Sequence, residues 1–289
     1  MGSQERSLMY KLKSQDGTEI ILKIFIGKNP WQKKRMEREK VALYVLKGLA
    51  VPKLVRIPRK VVAKLVKSKN FSYTAMENVP WAGCFARIFS ATQSLGLWAF
   101  TLEQLCAFRR RQVLYTDMKH DHIRLSKNLD SALIIDYNDC VMVEQSGLYP
   151  HTIMGVTPEL AAPEFYFSTI LSERVIVYEM GMLLGAFLNK YFHNFHQEPR
   201  AFKKMEAKLS SVDAQDFYFL LRKCISQNPL ERPKDLEVLF SQFQQLELPS
   251  AAIHLWKKLR APYLKPLAEL GFKDPVESEE RSIGIKKAS

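Results

Sequence analysis

Residues 115 to 138 constrain this chain more than any other stretch. Two short apolar runs, Ile123 to Leu125 and Ala132 to Ile135, flank Ser126-Lys127-Asn128-Leu129-Asp130, which reads as a turn joining two strands of a hairpin. The strands deliver an acid each to the same end: Asp117 lies ahead of the first and Asp136 follows the second. Two carboxylates then share one cleft. Lys119 stands two positions after Asp117, and His122, a metal-ligand type, stands five positions after it. An acid, a cation, a metal ligand and a second acid beyond a hairpin are the groups needed to position a phosphoryl group and neutralise its charge.

In these residues the chain resembles the protein kinase superfamily. The catalytic loop of that family, H-R-D-x-K-x-x-N, reads here Tyr115-Thr116-Asp117-Met118-Lys119-His120-Asp121-His122, and its metal motif D-F-G reads Asp136-Tyr137-Asn138. Further on, Gly155-Val156-Thr157-Pro158-Glu159-Leu160-Ala161-Ala162-Pro163-Glu164 is similar to the G-T-P-x-x-x-A-P-E ending of the activation segment. Asn228-Pro229-Leu230-Glu231-Arg232-Pro233 is similar to the D-P-x-x-R-P turn. The resemblance spans residues 2 to 245 and implies an α+β, two-lobed kinase-like fold. Residues 1–79 would form a small sheet-rich lobe with the hinge, 80–250 a mainly helical lobe, and 251–289 a short helix near Ile253 to Leu259 with a disordered tail from Asp274 onward. It also implies an ion pair between Arg232 and Glu164.

Taken in order, the residues supply the elements of such a fold. Asp16-Gly17 is a hairpin signal, and Glu19 to Phe25 reads as a strand carrying Lys23 in an apolar run. A helix is predicted over Trp31 to Leu49, with Val41, Leu43, Tyr44, Leu46 and Leu49 as its apolar face and Glu39 at the head of that stripe. Lys53 to Ile57 and Phe71 to Met76 read as two further strands, separated by extra residues rich in Lys and Val. Helices follow over Ala91 to Phe108 and Val175 to Leu188, and Ser211 to Ala214 reads as the cap of another.

The resemblance assigns roles to named positions. Asp117 accepts or orients the proton of the attacking hydroxyl and Lys119 steadies the transferring group. Asp136 and His122 hold magnesium or manganese, and Lys23, paired with Glu39 or alternatively with Glu37, positions ATP. Met76 to Pro80 matches the hinge, where backbone groups of Glu77 and Val79 receive adenine. The substrate implied is protein Ser/Thr, because Lys119 goes with those hydroxyls in the family.

Several positions depart from the family pattern. The glycine-rich loop is reduced to Gly2, with Gln4 and Ser7 at the other two glycine positions. His122 replaces the metal-binding Asn; imidazole suits manganese or zinc better than magnesium. Ile176 stands where a buried Asp anchors the catalytic loop, and Thr116 replaces the Arg that receives an activation-segment phosphate. These changes keep two alternatives open: a pseudokinase serving as a binding or scaffold module, and a kinase of a non-protein hydroxyl such as a lipopolysaccharide core sugar.

Charge narrows the partners. The net charge of +13 arises wholly within residues 1 to 69, which hold 18 Lys and Arg against 5 Asp and Glu. A basic small lobe suits an acidic partner, anionic lipid or nucleic acid. The cysteines Cys84, Cys106, Cys140 and Cys224 form no C-x-x-C pair, which points to a reducing, cytoplasmic setting and away from a zinc ribbon. No apolar run reaches the roughly 18 residues of a membrane span, no signal-peptide pattern is present, and Arg6 breaks the myristoylation motif begun by Met1-Gly2. His193 and His196, three apart among aromatics, read as a helix end or solvated loop rather than a metal site.

Overall fold

The hairpin signalled by Asp16-Gly17 forms the edge of a three-stranded antiparallel sheet. Strand β1 (Arg6–Lys13) pairs with β2 (Glu19–Ile26), and Gly17 takes φ +87° in the turn, the left-handed region that favours glycine. This computed structural model describes residues 6–66, 68, 70–84, 87–143, 148–150, 157–189 and 199–275. The glycine-loop positions Gly2 and Gln4, the His193/His196 pair and the tail beyond residue 275 lie outside them.

Alternation along β2 divides its two faces. Ile20, Leu22 and Ile24 are buried on one side, while Lys23 points to the other. Strand β3 (Phe71–Glu77) completes the sheet in the order β1-β2-β3, with Lys23 opposite Thr74. Helix α1 (Pro30–Val45) begins at Asn29, whose side chain accepts from the Trp31 N–H at 3.0 Å, and packs on β3, where Thr74 Oγ1 donates to Met36 O at 3.1 Å.

Helix α2 (Arg59–Val66) occupies part of the Lys- and Val-rich insertion, for which no element was expected. Its Val62 packs with Ile20, Leu22, Ile24, Phe71 and Ala75 in a small core of its own. Two further expectations are corrected in this region. The α1 helix ends at Val45, and Val41 and Tyr44 are exposed; the buried side is Met36, Glu39, Ala42 and Leu43. Tyr44 and Val41 match the helical period, yet the sheet takes the adjacent face. Lys53 to Ile57 forms only a single bridge, Leu54 to Met76, along the outer edge of β3.

The remainder is mostly helical, with small antiparallel sheets, giving an α+β chain about half helical. Strand β4 (Ala82–Gly83) precedes α3 (Ala91–Arg110), which is capped by a reciprocal Ser90–Gln93 box. After β5 (Val113–Leu114), strands β6 (Ile123–Leu125) and β7 (Ala132–Ile134) form the expected hairpin, with Ile123 opposite Ile134. Strand β8 (Val141–Met142) pairs with β5, and β9 (Leu148–Pro150) with β10 (Ile170–Ser172).

Helix α4 (Arg174–Leu188) is apolar on all sides and buried against α3. Trp98 Nε1 donates to Met180 O at 2.8 Å, and Gly181 lets α4 approach Cys224 and Ile225, where a Cβ would meet Ile225 Cγ2 at 2.6 Å. Then follow α5 (Pro199–Ser210), α6 (Gln215–Cys224) and α7 (Leu236–Gln244). Ser211 to Ala214 does not cap α6 by a side chain; Asp213 sits at φ +53° and Ala214 occupies the cap.

The C-terminal segment holds two helices rather than one short one, α8 (Ser250–Arg260) and α9 (Leu264–Glu269). Neither is peripheral. Ala252, Ile253, Trp256, Leu259 and Leu267 belong to the same core as α3, so residue 250 divides no core. Glycine at position 96 allows the close crossing, since a Cβ there would lie 2.6 Å from Ala252 O. Among the described residues no helix is long and apolar enough to cross a membrane, and all four cysteines are free and buried.

Candidate active site

The small sheet contributes a cation and a helix contributes its counter-charge. Glu39 is fully buried on α1, and a buried carboxylate requires a partner; Lys23 Nζ supplies it at 2.6 Å from Oε1. Lys23 also reaches Asp136 Oδ1 at 3.4 Å, which ties the sheet to the β6–β7 hairpin. Burial alone would lower the lysine pKa, but the two carboxylates outweigh it and hold Lys23 above its ordinary range, as a cation.

Asp136 follows β7 at φ +68°, a conformation costly for a non-glycine residue and concentrated at functional sites. Its Oδ1 is occupied by Lys23 and by Asn138 Nδ2, the latter at 2.5 Å. Its Oδ2 faces His122 Nε2 at 3.6 Å. Burial acts to raise the Asp136 pKa, and the Lys23 charge overcomes it, so the net shift is downward and the carboxylate is ionised.

The hydrogen bonds around His122 fix its tautomer. Tyr115 O–H donates to Ile135 O at 2.6 Å, so the phenol oxygen can only accept from His122 Nδ1, 2.7 Å away. The other neighbour of Nδ1 is Asp117 O at 3.0 Å, a carbonyl that also only accepts. The proton therefore resides on Nδ1. Burial lowers the His122 pKa despite Asp136, leaving a neutral ring whose Nε2 lone pair is aimed at Asp136 Oδ2.

Asp117 sits between two donors, Thr157 Oγ1 at 2.7 Å on Oδ1 and Lys119 Nζ at 3.4 Å on Oδ2. Its loop is pinned from below. Thr116 Oγ1 donates to Asp139 O, and the Met118 N–H donates to Glu179 Oε2 at 3.3 Å. Glu179 is the residue missed in the sequence. The sequence points to Ile176 as the position beneath the loop, but Glu179 lies one turn further along the same face of α4 and its longer side chain reaches the loop. As the one acid within an otherwise apolar helix it carried a readable signal. Burial, with the nearby Asp117 charge, raises its pKa well above the usual carboxylate range.

These groups surround a cavity of about 550 Å³ between the sheet and the hairpin, within the range that encloses small-molecule ligands. Lys23, Lys119, His122 and Asp136 are among its lining residues, together with the apolar Ile21, Met76, Val79 and Ile135 and with Glu77. Glu39 stands behind Lys23, and Asp117 lies beside Lys119 rather than in the wall. The Glu77 N–H is committed to Lys53 O at 2.8 Å. A larger cavity, about 770 Å³, opens between α5 and α6, away from the acids.

No group of three or more metal-ligand side chains occurs among the described residues. The Asp136 Oδ2 and His122 Nε2 pair, 3.6 Å apart, is a two-ligand set that would need further donors to hold a divalent ion. Glu164 and Arg232, the pair expected from the sequence, meet in two hydrogen bonds of 2.7 and 3.0 Å. No protein-family model matches this chain, and no curated protein matches it.

Proposed function

We propose that this chain is a two-lobed, kinase-like phosphotransferase that moves the γ-phosphoryl group of ATP to Ser or Thr hydroxyls of protein substrates. The observation that carries the reading is the single chain of contacts from Glu39 through Lys23 to Asp136, ending at the His122 lone pair inside the 550 Å³ cavity. Residues from α1, β2 and the hairpin are far apart in sequence, and the convergence of a lysine and two acids on one cavity supports a site for a multiply charged ligand.

In this mechanism adenine lies between Ile21, Met76 and Ile135, near the Glu77 carbonyl and the Val79 N–H. Lys23, held by Glu39, binds phosphate oxygens. Asp136 and His122 would hold magnesium or manganese, which neutralises charge on the phosphates. Asp117 orients the acceptor hydroxyl and takes its proton, and Lys119 stabilises charge on the transferring group. Thr157 holds Asp117 in the acceptor-facing geometry. The Glu164–Arg232 pair favours a polypeptide acceptor over a sugar, because it braces the segment leading from Thr157 along which a substrate chain lies in kinase-like proteins.

The test is incubation with γ-labelled ATP and a mixed protein substrate, with magnesium or manganese. Phosphate incorporated by the wild type and not by Asp136→Ala supports the reading. A folded protein that binds ATP with neither ion and incorporates no phosphate leaves a pseudokinase, a scaffold that keeps the architecture alone.

A further inference from the structure

From Lys40 to Met76 the chain holds nine Lys and Arg residues and no Asp or Glu. Such a run is compatible with simple solvation, but here it folds around a specific concavity. A cavity of about 400 Å³ opens at the outer edge of β3, between α1 and the segment leading into α2. Its floor is apolar, formed by Val55, Ile57 and Ala75, and its rim carries Lys40, Arg56 and Arg59. No acid lines it. Lys40 and Arg56 are exposed and have no carboxylate partner among the described residues.

The backbone supplies a second observation. The Ala75 carbonyl accepts from the Val55 N–H at 2.9 Å and the Glu77 N–H donates to Lys53 O at 2.8 Å, so odd-numbered residues of β3 turn their peptide groups away from β2. The Phe71 carbonyl obeys the same parity and accepts from Arg59 Nη2 at 3.1 Å. Tyr73, between them, therefore presents its N–H and C=O to the cavity, and among the described residues none pairs with either. Val55 and Arg59 take the positions on either side, so among the described residues Tyr73 is the open position of this edge, and an open peptide group accepts main-chain hydrogen bonds from polypeptide.

We infer that this edge is a docking site for an extended acidic peptide segment of a partner protein, which pairs with Tyr73, places carboxylates on Lys40, Arg56 and Arg59, and sets one apolar side chain on the Val55–Ile57–Ala75 floor. Charge complementarity selects an acidic occupant, and the strand edge selects polypeptide. Nucleic acid is disfavoured because single-stranded binders use exposed aromatic platforms. The Tyr73 ring is covered by Lys40, 5.9 Å from its centroid, and its hydroxyl donates to Ile57 O at 2.7 Å. The inference stands apart from the catalytic reading, since none of the residues lining this cavity lines the one that holds Lys23, and it needs no nucleotide.

The experiment is fluorescence anisotropy with a labelled Glu-rich octapeptide bearing one central Phe, at low salt and without ATP. Parallel arms use a Lys-rich counterpart, single-stranded oligothymidylate and phosphatidylserine vesicles. The account expects the acidic peptide to bind, to weaken with added salt, and to lose about tenfold or more in affinity in Lys40→Glu/Arg56→Glu. The charge-matched variant Lys127→Glu/Lys265→Glu should bind as the wild type does. Arg56→Ala, a single change at an exposed position, gives a smaller loss in the same direction and serves if the double variant fails to fold. The inference is overturned if the acidic peptide does not bind the folded wild type, if both double variants lose affinity equally, or if oligothymidylate or vesicles bind more tightly and depend on Lys40 and Arg56.

Discussion

Arg232 grips Glu164 with two nitrogens, Nη1 at 2.7 Å and Nη2 at 3.0 Å, across 68 positions of sequence. Its side chain is fully buried, and its remaining donors reach Ser226 O at 2.7 Å and Arg174 O at 3.2 Å while the guanidinium lies over Tyr178. Every donor-rich edge of the side chain is thus used. Removing one member of a buried pair leaves the other charge uncompensated, at a cost of about 3 to 5 kcal/mol. Arg232→Ala should lower the melting temperature by about 6 to 20 °C for a chain of this size. A loss no larger than that of Lys265→Ala, an exposed control, contradicts the pairing.

A second buried carboxylate gives the protein a pH-dependent stability. Burial pushes Glu103 up to about 7, against the opposing pull of Arg260 Nη2 at 3.1 Å and a hydrogen bond from Trp256 Nε1. The folded state therefore holds its proton more tightly than the unfolded state, whose pKa is near 4.5. The contribution of Glu103 is fully present below about 4.5 and is lost as pH rises through 7, on the order of 3 kcal/mol in all. Glu103→Gln should flatten this decline and become the more stable form at pH 8, with Arg260 still paired to Asp274. Thermal melts from pH 5 to 8 check it; a constant difference between the two proteins contradicts it.

The metal preference follows from the His122 tautomer. A neutral imidazole favours manganese over magnesium relative to an amide oxygen. Phosphate transfer should be faster with manganese in the wild type, and His122→Asn should shift the ratio toward magnesium. An unchanged ratio removes His122 from the metal site.

Activation-segment phosphorylation should be dispensable. Thr116 stands where a phosphate-binding Arg is expected and spends its hydroxyl on Asp139 O, while Arg35 of α1 is already paired with Asp139 at 2.5 Å. An internal carboxylate thus holds α1, and with it Glu39, without an added charge. Phosphatase treatment should change activity by less than about twofold; a large drop contradicts this.

Much of the site was legible because its residues are chemically conspicuous where they stand. Lys23 interrupts an apolar strand, Asp117 and Asp136 bracket a hairpin, and Glu164 and Arg232 lie in distinctive Pro-containing runs. What escaped notice depended on neighbours that one sequence does not reveal. Val41 and Tyr44 had the right period for burial, but the sheet lies against Met36 and Ala42 instead. Lys53 to Ile57 has strand character, but past the Leu54–Met76 bridge the segment leaves β3 and enters α2 at Arg59. Glu179 was passed over because the loop it anchors is reached by side-chain length rather than by position, and α2 lacked acidic residues or caps to mark its start.

The central claim, that one cavity binds ATP through Asp136 and transfers its phosphate through Asp117, is tested most directly by separating the two steps. Asp136 acts with the ion and the phosphates, and Asp117 acts on the acceptor. Calorimetric ATP titration with manganese, run beside γ-phosphate transfer, should show Asp136→Ala losing both metal-dependent binding and transfer, and Asp117→Ala retaining binding while losing transfer. Equal ATP binding by wild type and Asp136→Ala, or undiminished transfer by Asp117→Ala, would contradict the account.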